Sequence, residues 1–239
     1  MQTQPLFYKQ IAALSNEKHG DWYLARDHGY HFASDTNCLY VAAIEIPQAC
    51  REYPIVFASA ADGTVFPVVL LGLKTAQNLY LDGEGNWRAR YVPAYLRRYP
   101  FILAKLEETE RYTVCIDEAC SGFNTVHEGE ALFDEQGEQG PLLQKTVAFL
   151  KDYQAHVQWT EDFCRDLQAL DLLEPVQANV SLDSGEKFSL TGMLAVSRDR
   201  LKALDDGRLA ELARKDYLEP MYAHLVSLGN MQNLIAYMS

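Results

Sequence analysis

The sequence predicts an α+β fold, and three observations predict it. Strand-like apolar segments crowd residues 1–126, separated by turns short enough for a mostly antiparallel sheet. From residue 141 apolar side chains recur at helical spacing instead. One late hairpin pattern interrupts those helices at residues 176–197. Strands followed by helices, rather than alternating with them, argue for α+β.

The elements follow in order. Residues 1–35 combine a short amphipathic start with His19, His28 and His31. "CLYVAAIEI" reads as a strand, "PQACREY" as a short helix started by Pro47, and "PIVFAS" as a second strand. "ADG" is a turn, and "FPVVLLGL" is a buried strand. "NLYLDGEGNWRARYV" carries a hairpin signal, with Leu79 and Leu81 before the turn and Trp87, Ala89 and Tyr91 after it. "FILAKLEETERYTVCID" gives another hairpin, turning near "EETER". The acidic, glycine-rich stretch 127–140 reads as a long loop or linker. Pro141 suits the first turn of a helix, on which Leu143, Val147, Leu150 and Val157 form a stripe that Phe163, Leu167 and Leu170 continue. Pro175 ends it. A hairpin around "DSGE" follows, then closing helices over "RDRLKALDDGRLAELARKDY" and "LEPMYAHLVSLGNMQNLIAYM", the second with Met221, Leu225 and Leu228 in phase.

Composition narrows the function classes. The chain has 239 residues, 48 % hydrophobic and 23 % charged, enough for one large domain or two small ones. A formal charge of −12 disfavours nucleic acid, whose phosphates need a basic face. The longest apolar runs fall short of the roughly 20 residues of a membrane span. The first twenty residues carry no basic stretch followed by an apolar core, and "RR" at 97–98 lies too far along for an export signal. Cys38, Cys50, Cys115, Cys120 and Cys164 are odd in number and scattered, so reduced thiols and a cytoplasmic location are expected.

Catalytic motifs are missing. There is no glycine-rich phosphate loop and no CxxC pair; "ACSGF" lacks the glycine of a nucleophile elbow, and "HEGEA" lacks the second histidine of a zinc-protease helix. No cofactor is expected. "RDHGYHF" places Asp27, His28 and His31 close together, and with His19 they are the best metal candidates. Gly29 and the flanking aromatics favour ordinary hydrogen-bonding histidines, so no metal is expected. Cys115 and Cys120 neighbour Asp117 and Glu118, which oppose a reactive thiolate, and Cys115 is expected to be buried on its strand.

"YVPAYLRRYPF" is the richest stretch. Arg88, Arg90, Arg97 and Arg98 fall within eleven positions, among Trp87, Tyr91, Tyr95 and Tyr99. Guanidinium groups capture carboxylates in pairs of hydrogen bonds and stack on rings. One reading is a ligand-binding face of Arg97, Arg98, Tyr95, Tyr99 and Arg90 that takes an acidic or carboxylate-bearing peptide. The competing reading pairs both arginines with the protein's own acids and puts Tyr95, Tyr99 and Phe101 in the core. A single turn over residues 93–98 would aim the adjacent arginines to different sides, leaving one structural and one exposed.

"FPVVLLGL", "NLYLDGEGNWRARYVPAYLRRYPFIL", "CIDEACSGF", "EALFDEQGEQGPLL" and "YAHLVSLGNMQNL" together resemble the bacterial SapC family, from about Phe7 to the C-terminus. The resemblance implies one domain over residues 1–239: a strand-rich region at 1–126, the acidic loop at 127–140 and a helix-rich region at 141–239. It implies a link to a bacterial surface layer, and to outer-membrane receptors and flavin-dependent halogenase-like proteins encoded nearby. It is distinct from the similarly named peptide-transport permease and transfers no catalytic residue. The leading expectation is a non-catalytic accessory protein with a protein or peptide partner. The alternatives are a peptide-modifying or peptide-hydrolysing enzyme, built from His19, His28 or His31 with Asp117, Glu118 or a cysteine, and a secreted surface-layer component.

Overall fold

The structure, a computed structural model, describes residues 5–105, 112–181 and 185–238. Its strands are β1 (Ile11–Ala13), β2 (Tyr23–Leu24), β3 (Cys38–Tyr40), β4 (Ile55–Ser59), β5 (Val65–Leu70), β6 (Phe101–Lys105), β7 (Tyr112–Asp117), β8 (Phe123–Asn124), β9 (Glu130–Ala131), β10 (Leu173–Ser181) and β11 (Lys187–Val196). Its helices are α1 (Asn16–His19), α2 (Ile46–Ala49), α3 (Ala94–Arg97), α4 (Pro141–Ala169), α5 (Arg198–Lys202), α6 (Asp206–Arg214), α7 (Leu218–Ser227) and α8 (Met231–Ala236). The strand pairings are antiparallel, and the fold is α+β as the pattern predicts. The chain divides into two compact units: Met1–Phe32 with Leu96–Ala155, and Ala33–Tyr95 with His156–Ser239.

The first unit holds two three-stranded sheets, in the orders β1-β7-β6 and β8-β2-β9. Phe101 pairs with Ile116 and Ile11 with Asp117, so β7 is the central strand of its sheet. Tyr8, Tyr99, Phe101, Ile116 and Leu132 form the core together with Leu143 and Leu150 of α4. The expected hairpin of β6 and β7 is present; its turn near "EETER" lies outside the described residues.

The second unit holds a five-stranded sheet in the order β10-β11-β4-β5-β3. Phe163 and Leu167 of α4 are buried here, with Phe163 stacked on Trp159 at 5.8 Å and edge-on to Tyr217 at 5.0 Å. The late hairpin is the pair β10 and β11, with a register shift between Val176 and Ala178; residues 182–184 near its "DSGE" tip lie outside the described ones.

Three expectations are corrected. Only residues 38–40 of "CLYVAAIEI" form a strand; Ala43–Glu45 turn as a 3-10 helix, because the Glu45 side chain reaches back to the Ala42 N–H (2.9 Å). "NLYLDGEGNWRARYV" makes a turn with one bridge, Leu81 to Trp87, rather than paired strands. Helix α4 stops at Ala169, so Pro175 does not end it but lies inside β10.

The turn at residues 82–86 has two close relatives, at 60–64 and 134–138. In each, the first residue's N–H bonds to the fifth residue's carbonyl, at 3.0, 2.8 and 2.9 Å respectively. In each, the fourth residue is glycine with positive φ: Gly85 at 87°, Gly63 at 86° and Gly137 at 82°. A side chain resists that backbone region, so glycine in fourth place is the sequence mark of this loop. The stretch 127–140 is therefore not a bare linker; it contains β9 and a closed turn across the Phe133–Gln139 bridge.

Candidate functional site

Arg97 closes α3 and is exposed, with its guanidinium carbon 5.1 Å from the centre of the Phe149 ring. Arg98 is half-buried between Tyr8 (5.8 Å) and Tyr153 (5.4 Å). Phe149 and Tyr153 sit one turn apart on α4 with their rings stacked at 6.3 Å. Adjacent arginines thus rest on one aromatic ladder, one exposed and one half-buried. Tyr30 also lies within reach of the Arg97 charge: burial raises its hydroxyl above the ordinary range, and Arg97 opposes that rise.

The remaining residues of the expected face are placed differently. Tyr99 is buried, stacked on Phe32 at 4.1 Å, and its hydroxyl donates to Asp117 Oδ2 (3.1 Å). Burial first, then Cys120 and Asp117, push that hydroxyl well above the usual tyrosine range. Tyr95 and Arg90 belong to the second unit; Tyr95 is half-buried with its ring 6.4 Å from that of Tyr40, and Arg90 is exposed.

Sequence reasoning did not foresee what the acids do. Asp117 is wholly buried, and its Oδ1 accepts the Gln10 N–H (2.7 Å) while Oδ2 accepts the Lys9 N–H (3.1 Å). Glu45 Oε1 accepts the Tyr91 hydroxyl (2.6 Å) and the Ala94 N–H (2.7 Å). Glu52 accepts the N–H groups of Arg90 (2.8 Å) and Tyr91 (3.0 Å). These carboxylates bind backbone amides, and Glu45 and Glu52 together pin the chain at residues 90–94.

His19 is wholly buried, edge-on to Trp22 at 4.8 Å, with Nε2 2.9 Å from Glu118 Oε1. Glu118 also pairs with Lys18, and the bonds from Lys18 and then His19 hold its carboxyl below the ordinary range. His28 Nδ1 lies 3.3 Å from the Ala25 carbonyl, and His31 is exposed. Among the described residues no group of three His, Cys, Asp or Glu side chains could hold a metal ion. Helix α4 also lines a groove of about 510 Å³ in the first unit, through Val147 and Lys151, with Leu14, Leu103, Val114 and Phe133 opposite. Val147 and Phe149 are two residues apart, about 200° around the helix, so this groove and the Arg97 platform occupy different sides of α4.

All five cysteines are free. Burial raises the thiols of all five, that of Cys164 to about 12, so access separates them: Cys38 is exposed, whereas Cys115, Cys120 and Cys164 are buried. A mild alkylating agent is therefore expected to label exposed Cys38 first and to leave these three unmodified in the folded protein, as read by peptide mass spectrometry.

No helix among the described residues is long and apolar enough to cross a membrane. A family model described as SapC matches residues 14–234. No curated protein matches the chain, and no solved structure does. The match takes in Arg97, Arg98, Asp117 and α4, and it runs across both units. The chain belongs to the SapC family.

Proposed function

We propose that this SapC-family protein is a non-catalytic accessory protein that serves a bacterial surface-layer or outer-membrane uptake system from the cytoplasm, and that Arg97 engages a carboxylate-bearing peptide. The observation that carries the reading is a solvent-exposed guanidinium seated 5.1 Å over the Phe149 ring. A ring beneath the flat of the guanidinium steadies it, and its N–H edge suits a planar carboxylate. Arg98, between two tyrosines, supports the platform and is the poorer target for mutation, because it packs as well as carries charge. Arg97→Glu is therefore the informative variant. Affinity capture from native cell extract, read by mass spectrometry, is expected to recover a partner with the wild-type chain and to lose it with Arg97→Glu at an unchanged melting temperature. Equal recovery by the variant refutes the assignment.

A further inference from the structure

A second arginine-lined surface lies wholly within the second unit. Gln48, Arg51, Glu52, Arg90 and Tyr91 line a shallow cleft of about 520 Å³. Arg51 follows α2 and Arg90 follows the 82–86 turn; both are exposed. Among the described residues neither guanidinium has an ion-pair or hydrogen-bond partner, although the chain carries 33 acidic residues against 21 basic ones. The acid in the lining is Glu52, whose Oε2 accepts the Arg90 N–H (2.8 Å) and whose Oε1 accepts the Tyr91 N–H (3.0 Å). That carboxylate fixes the backbone that carries Arg90 and does not bond to its side chain. Tyr91 is fixed in turn through its hydroxyl to Glu45 (2.6 Å). The cleft wall is thus preorganised while its two cations remain uncommitted.

We propose that this cleft binds a single peptide carboxylate, held by Arg51 and Arg90 with the Gln48 carboxamide as a further donor. Two guanidinium groups against one carboxylate leave the lining a formal charge of +1. That matches a monoanionic carboxylate, whereas a phosphate dianion would leave excess negative charge beside Glu52. Arginine supplies paired, in-plane donors to such a group. A C-terminal α-carboxylate and an acidic side chain offer the same chemistry. The site stands or falls separately from Arg97, which is in the other unit.

The test titrates the full chain at low salt with three capped tripeptides: acetyl-trialanine as the free acid, acetyl-Ala-Glu-Ala amide, and acetyl-trialanine amide, which has no carboxylate. Calorimetry is expected to show binding of at least one of the first two and none of the third. Whichever binds identifies the source of the carboxylate. Arg51→Gln and Arg90→Gln are each expected to weaken binding at least tenfold, and Arg97→Gln to leave it unchanged. Both cleft variants are expected to fold, since the Glu52 bond is to the backbone of Arg90 and not to its side chain. Absence of binding, equal binding of the uncharged peptide, or wild-type affinity in either cleft variant overturns the proposal. Loss in Arg97→Gln alone overturns it too, while supporting the Arg97 platform.

Discussion

Asp117→Ala is expected to cost the first unit about 3–5 kcal/mol, a large fraction of the roughly 5–15 kcal/mol that holds a typical domain folded. The carboxylate is fully buried and serves donors from three segments of the chain: the Lys9 and Gln10 amides, the Tyr99 hydroxyl and the Ala119 amide. Truncation leaves at least two backbone N–H groups and a phenol without an acceptor, at about 1–3 kcal/mol for each one that water cannot reach. The damage reaches β1, whose first residue, Ile11, pairs with Asp117 and is next in sequence to Gln10. Asp117→Asn is expected to lose at least half as much, because its one remaining oxygen faces donors on one side while its NH₂ group confronts donors on the other. Urea unfolding followed by fluorescence checks the loss, and amide exchange at residues 9–13 checks its location. A loss below about 1 kcal/mol for Asp117→Ala would show that water replaces the carboxylate.

Asp117 also marks where sequence reasoning stopped. The α+β class, the β4–β5, β6–β7 and β10–β11 pairings and the long helix from Pro141 were legible because apolar periodicity reports them directly. The interior polar residues were not, because pattern reading sends polar side chains to solvent. In α7 the expected inward phase was Met221, Leu225 and Leu228, yet the helix buries Pro220, Met221, His224 and Ser227. The reason is a strand amide left without a ladder partner: Ser227 Oγ accepts the Ile55 N–H (3.1 Å). Thr160 of α4 does the same for Ala43 (2.8 Å), and Asp117 and Glu45 do it for the N-terminal segment and for residue 94. Each polar side chain replaces a backbone acceptor that the topology fails to supply. The arginine cluster was legible as a cluster. Its division between two units, and the appearance of Arg51 beside Arg90, depend on contacts between segments far apart in sequence, which no local pattern encodes.

His224 makes the second unit acid-labile by the same logic. Its ring is wholly buried, edge-on to Phe57 at 5.0 Å, and Nε2 accepts the Val196 N–H (3.2 Å). Burial pushes its pKa down to about 4, and Nδ1 is buried with no hydrogen-bond partner among the described residues. Protonation would place a second hydrogen against the Val196 amide and a charge in an apolar site. The unfolded chain, with a histidine pKa near 6.5, binds this proton first, so folding stability falls with pH across the window from about 6.5 to about 4. Above that window the contribution is complete; by pH 4.5 His224 alone is expected to remove roughly 2–3 kcal/mol. His224→Gln keeps an acceptor for Val196 and cannot titrate there. It is expected to be less stable than wild type at pH 7, through imperfect packing, and to recover about that same 2–3 kcal/mol relative to wild type at pH 4.5. Urea unfolding of both proteins at the two pH values measures the difference. A gap that stays constant with pH would mean that the acid sensitivity of this unit comes from its carboxylates and not from His224.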